Sequence, residues 1–114
     1  MSRYRRGDVV LIDFSFFDKE KGRFDFKPRP FVVINVIEEF DDENITVMCT
    51  TKTHKSEKYP GVVVLATSDG GKQMKITEDS LIYCNKSYLF SNKEILRRIG
   101  TCPFVDQIEQ ILYK

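Results

Sequence analysis

A chain of 114 residues and 13.3 kDa has room for one hydrophobic core and therefore one domain. Its 41% hydrophobic and 31% charged residues are those of a folded chain, and a net charge of +1 excludes a strongly basic nucleic-acid coat. One histidine, His54, excludes a two-His metal site, and three cysteines without CxxC spacing argue against a disulfide framework or a structural zinc. No apolar run approaches the ~20 residues of a membrane span, and the opening MSRYRRGDVV lacks a signal-peptide core, so a cytoplasmic protein without a membrane partner is expected.

In chain order, the first half reads as strands. DVVLIDF (8–14) is short, apolar and β-branched, and FVVINVI (31–37) and NITVMCTT (44–51) repeat the pattern on either side of an acidic turn, EEFDDE (38–43). Phe14 and Phe16 alternate, as do Phe24 and Phe26, so residues 14–26 read as a projecting hairpin arm with DKEKG (18–22) at its tip. GVVVLAT (61–67) and SLIYC (80–84) are the fourth and fifth strands. Helical signal appears only late. Ser91 and Glu94 have capping-box spacing and predict a short helix ending near Gly100. The segment 103–114 then places Phe104, Val105, Ile108, Ile111 and Leu112 on one helical face. Five or more short strands with a terminal amphipathic helix imply a mainly β, small and strongly bent barrel in which consecutive strands pair. Four strands are apolar on both faces, so the outer wall needs a cover, either the last helix or a second copy of the chain; a homodimer is expected.

Charge is uneven along the chain. Residues 19–29 hold Lys19, Lys21, Arg23, Lys27 and Arg29 against Glu20 and Asp25, and residues 52–58 hold Lys52, Lys55 and Lys58 against Glu57. Such runs are either solvated loops or a local patch that orients a polyanion. Phenylalanines among the cations of residues 16–27, Phe17 included, suit single-stranded RNA, whose bases stack while its phosphates pair. Packing of Phe16 and Phe24 across the hairpin is the alternative, and the two are compatible.

Three segments carry a family resemblance. RGDVVLIDF (6–14), KPRPFVVI (27–34) and VMCTTK (47–52), followed by Tyr59-Pro60 and later by Arg98-Ile-Gly100 and an amphipathic helix, together resemble the PemK/MazF toxin endoribonucleases of type II toxin–antitoxin pairs. Many members carry a Gly-Ser-Glu-Gln-Gly-like loop between the first two strands, where this chain has SFFDKEKGRFDFK. The resemblance implies an SH3-like barrel, RNA as substrate, a cognate antitoxin and no cofactor or metal. The implied reaction is attack of a ribose 2′-OH on the adjacent phosphorus, leaving a 2′,3′-cyclic phosphate and a 5′-OH.

The residues themselves nominate a site. Arg29 stands between Pro28 and Pro30, which hold the backbone extended and launch a guanidinium from a rigid point. Such a fork suits a phosphate gaining charge, although an ion pair at a strand end would look the same. Thr50 belongs to the strand face opposite Cys49, where threonine is also favoured simply as a strand former. The resemblance maps Arg29 onto the family's catalytic arginine and Thr50 onto its hydroxyl partner, with Thr51 as support. Histidine is the commonest side chain for proton transfer, and His54 is either a base or an exposed loop histidine. Asp13 is either an orienter of Arg29 or a strand-end cap. Lys52 and Lys55, with the cations of the arm, complete the expected RNA-binding set. An antitoxin with an acidic, disordered tail would lie over these same basic loops. A non-catalytic RNA-binding or regulatory interaction module on the same barrel is the alternative function.

Overall fold

The computed structural model describes residues 3–37, 39 and 42–114, with Phe16 described by its backbone alone. Among these, seven strands form the sheet: β1 (Asp8–Asp18), β2 (Arg23–Ile37), β3 (Glu43–Thr50), β4 (Gly61–Val64), β5 (Ser80–Tyr83), β6 (Tyr88–Ser91) and β7 (Ile95–Thr101). Two α-helices, α1 (Asp69–Met74) and α2 (Val105–Leu112), accompany them, and no helix among the described residues is long and apolar enough to cross a membrane. The fold is mainly β, as expected.

The strand order is β4-β5-β3-β2-β1-β7, with β6 also on β3, and all pairs are antiparallel. The expectation that consecutive strands pair therefore holds only for β1–β2, β2–β3 and β4–β5. β3 skips β4 to reach β5 and β6, and the last strand closes on the first. Register shifts between Val9 and Val10, between Leu11 and Ile12, and between Val33 and Asn35 mark irregularities that bend the sheet. Half of the acidic turn at 38–43 (residues 38, 40 and 41) lies outside the described residues.

The apolar character of both strand faces is met within the chain. Val9, Val32, Ile34, Val47 and Cys49 point into one core, completed by β4, β5, Met74 of α1 and Val105 and Ile108 of α2. Val10, Ile12, Phe31 and Val33 point the other way, into a second core with Ile95, Phe14, Met48, Tyr88 and Phe90. Phe31 packs edge-on to Tyr88 and Phe90, with ring centroids 5.8 and 5.2 Å away. The terminal helix presents the face its spacing predicted, and Arg6 ties it to the N-terminal loop through Asp106 and Glu109. Cys49, Cys84 and Cys102 are buried thiols in the first core.

Two local readings are corrected. The capping box of Ser91 and Glu94 forms, with the Ser91 N–H donating to Glu94 at 2.8 Å, but it opens only a single 3₁₀ turn, Asn92–Glu94. Ile95–Thr101 is then strand β7, not helix, because pairing with β1 offers more hydrogen bonds than an isolated turn. Helix α1 was not expected at all. Ser68 caps it by accepting from the Gly71 N–H at 3.1 Å, and Gly71 lies against Leu65, where a Cβ would stand 2.2 Å from the carbonyl oxygen. Six residues with two glycines carry little helical signal. Strand β6 was missed for the same reason of length.

Candidate active site

The arm follows directly from the register. β1 and β2 stay paired out to Asp18 and Arg23, and the turn closes with Asp18 accepting from the Glu20 and Lys21 N–H groups at 2.9 and 3.2 Å. Gly22 takes the left-handed conformation this turn requires, with φ +64°. Phe17 faces Phe24 across the pair, rings 5.3 Å apart, so the cross-strand partner of Phe24 is Phe17; Phe16 stands opposite Asp25. By the two-residue period Phe26 shares the face of Phe17 and Phe24, and all three are more than half exposed. Lys19, Lys21 and Arg23 ring the tip, and Lys21 pairs with Asp25 at 3.2 Å. That contact, after the Phe26 N–H bond to the same side chain, holds the Asp25 carboxyl below its ordinary value.

At the base of the arm the sheet opens. The β2–β3 ladder ends at Phe31 and Met48. Pro28 and Pro30 have no N–H to offer a neighbour, while β3 turns to β5 through Cys49–Ile82 and Thr50–Leu81. The gap so formed is a cleft of about 550 Å³. Arg29, Thr50, Thr51 and Lys27 all line it. Continuing the β2–β3 register two residues past its last pair sets Arg29 level with Thr50, on the same sheet face. Arg29 is half-buried with its Nε shielded from solvent, and Thr50 is 6% exposed. The Thr50 hydroxyl oxygen accepts from the Lys52 N–H at 3.3 Å, which leaves its proton to donate.

The remaining expected residues lie elsewhere. Asp13 is exposed and stands opposite Pro28, one residue out of phase with Ile12 and Arg29, and it does not line the cleft. His54 and Lys55 belong to the 3₁₀ turn Thr53–Glu57 that follows β3; His54 is exposed, and neither lines the cleft. Lys52 is exposed at the strand exit, outside the lining. Phe17, Lys19, Lys21 and Arg23 stay on the arm, with Lys27 the link between arm and cleft.

The cleft's other walls were not anticipated. Lys75, in a left-handed conformation with φ +61°, turns the chain out of α1 and brings Lys75–Glu78 to the rim. Arg97 and Arg98 of β7 line it from beyond β1. Lys27, Arg29, Lys75, Arg97 and Arg98 against the single carboxylate of Glu78 make the lining strongly cationic, suited to an anion such as phosphate. The Arg-Arg pair was a visible signal, but it lay in a segment read as helix.

Family membership agrees with this arrangement. A model of the PemK-like, MazF-like toxins of type II toxin-antitoxin systems matches residues 5–113, the arm and every wall of the cleft included. No curated protein matches the chain closely enough to count as a relative. The chain belongs to the PemK-like, MazF-like toxins of type II toxin-antitoxin systems, a family whose members generally cleave RNA and are paired with an antitoxin.

Proposed function

We propose that the protein is an endoribonuclease toxin that cuts single-stranded RNA without a metal or other cofactor. The observation that carries the reading is the meeting of Arg29 and Thr50 in one cationic cleft at the point where β2 and β3 part. The ribose 2′-oxygen attacks the adjacent phosphorus: the O2′–P bond forms, P–O5′ breaks, the 2′-OH loses a proton and the 5′-oxygen gains one. The products are a 2′,3′-cyclic phosphate and a 5′-OH, and no water enters the bond-making step. Arg29 presents two parallel N–H donors to the non-bridging oxygens as they gain charge. A guanidinium keeps its proton in proteins, so Arg29 stabilises charge and does not act as a base. The Thr50 hydroxyl donates to the same phosphate, with Thr51 beside it. His54, outside the lining, is given no required step.

The arm holds the strand. Lys19, Lys21, Arg23 and Lys27 pair with phosphates while bases stack on the exposed face of Phe17, Phe24 and Phe26. Lys52 and Lys55 extend the path beyond Thr51. A cognate antitoxin neutralises the toxin by laying an acidic, disordered tail over the same cations, so it competes with RNA and binds less tightly as salt rises. The protein acts as a homodimer. Because both sheet faces are covered by its own chain, the support for a dimer is the half-exposed Val63, Leu65, Leu89 and Leu96.

The test is incubation of purified protein with single-stranded RNA in chelator, followed by analysis of product ends. Cleavage to cyclic-phosphate and 5′-OH termini is expected, DNA is spared, and a single 2′-deoxy substitution at a cut site blocks that cut alone. If the folded parent cuts no RNA, a binding module is the better reading.

A further inference from the structure

Resting on that reading, we infer that Arg98 is a second phosphate-binding residue of the cleft and that Asp8 is its positioning residue. β1 lies between β2 and β7: Leu11 pairs with Pro30 on one side and Arg97 on the other, and all three line the cleft. Arg29 pairs with Ile12 and Arg98 with Val10, so the two arginines stand on either side of β1, two strand spacings apart and offset by two residues, rooted roughly 12 Å from each other, and both line the cleft. Two long arginines so placed hold two phosphates of one strand at once, one at the reacting centre and one beside it.

Arg98 is held by two side chains. Its Nε donates to Asp8 Oδ1 at 2.9 Å and its Nη2 to the Thr101 hydroxyl at 2.7 Å. Asp8 is buried, and its other oxygen accepts from the Arg5 N–H at 2.9 Å, so the carboxylate is itself fixed. These contacts engage one edge of the guanidinium. No contact is seen for Nη1 among the described residues, and half of the side chain remains exposed along the cleft. A guanidinium locked on one edge and open on the other meets a phosphate with little further loss of side-chain freedom. An ion pair built only to join the strand ends has no need to present its open edge to a cationic cleft.

The test separates binding from cleavage. Binding is followed by fluorescence anisotropy with a mixed-sequence 2′-O-methyl single-stranded oligonucleotide, which has no 2′-OH to react, across a range of salt. Cleavage of unmodified RNA is followed in parallel. Arg98→Gln alone leaves Asp8 buried without its partner, so the deciding variant is Asp8→Asn with Arg98→Gln, which removes both charges together. For the folded double variant, the slope of log binding constant against log salt is expected to fall by about 0.7, the counterion release of one single-strand phosphate. KM is expected to rise about tenfold with kcat within a few-fold. Asp8→Asn alone, which frees Arg98 without removing it, gives the KM rise and keeps the salt slope. An unchanged slope and KM in the double variant, with a parent that cleaves, overturns the inference and leaves the proposed function standing. A parent that binds but does not cleave overturns the function, while the slope still decides Arg98.

Discussion

Pro28 and Pro30 do two things for Arg29: they fix the backbone that carries it, and they end the ladder that would otherwise close over it. Arg29→Ala removes a preorganised donor to developing charge and is expected to cost roughly 10²-fold or more in kcat. Arg29→Lys recovers little, since an ammonium does not reproduce the fork. Thr50→Ala is expected to cost about 10²-fold, and Thr50→Ser only a few-fold, because the hydroxyl survives. Single-turnover cleavage of RNA by each folded variant checks these values; parent-like rates for both alanine variants would remove this site from consideration. His54 stands off the cleft, so His54→Ala is expected to leave the rate within about two-fold and the pH–rate profile unchanged, whereas loss of an acid limb would make it the base. Prolines, strand alternation and the loop's charge are local signals and nominated Arg29, Thr50 and Lys27, while the roles of Arg29, Thr50 and Thr51 came from the family resemblance. Lys75, Arg97 and Arg98 were not legible, because a long-range pairing brings them to the cleft and no neighbour in sequence announces it.

The same contrast governs the elements. β1, β2 and β3 announce themselves through β-branched runs, and the arm through alternating phenylalanines. Ile95–Thr101 was misread because the Ser91–Glu94 cap is real but weak, and the competing pairing with β1 lies some ninety residues away in sequence. Close backbone approach is the other hidden signal. At Gly100 a Cβ would stand 2.6 Å from the carbonyl oxygens of both Gln73 and Met74, so β7 can lie against α1 only without a side chain there. Gly100→Ala is therefore expected to destabilise the fold by about 3 kcal/mol and to disturb the Lys75–Glu78 wall that follows α1. Gly22→Ala, with nothing within 4 Å but φ +64°, is expected to cost only about 1 kcal/mol. Urea denaturation with unchanged m-values measures both, and a Gly22 cost equal to that of Gly100 would contradict the packing account.

At the scale of the whole molecule, one bent sheet separates two cores of different make-up: an aromatic one around Phe31 and an aliphatic one holding all three cysteines. A barrel was legible from strand number and length. The way its ends meet was not, because β1–β7 and β3–β5 closure depends on contacts made only after collapse. The sulfurs give that closed core a measurable signature. Burial pushes the Cys84 thiol up to about 11, helped by the neighbouring Cys102, and burial pushes Cys102 up to about 11 as well. Cys49 is raised further, first by burial and then by Cys102 and Cys84. The folded state thus retains protons that the unfolded chain releases above the ordinary value of 9.0. The stabilisation this represents is complete below about pH 9 and is lost as pH rises toward about 11. Cys102→Ala removes one of these groups, so its stability should fall less steeply over that window than the parent's, by up to about 1.4 kcal/mol per pH unit. Its lower stability at pH 7, from the lost sulfur, cancels when slopes are compared. Denaturant titrations of parent and variant at intervals through the window measure the difference. Parallel stability curves would mean that Cys102 is not held protonated by the core.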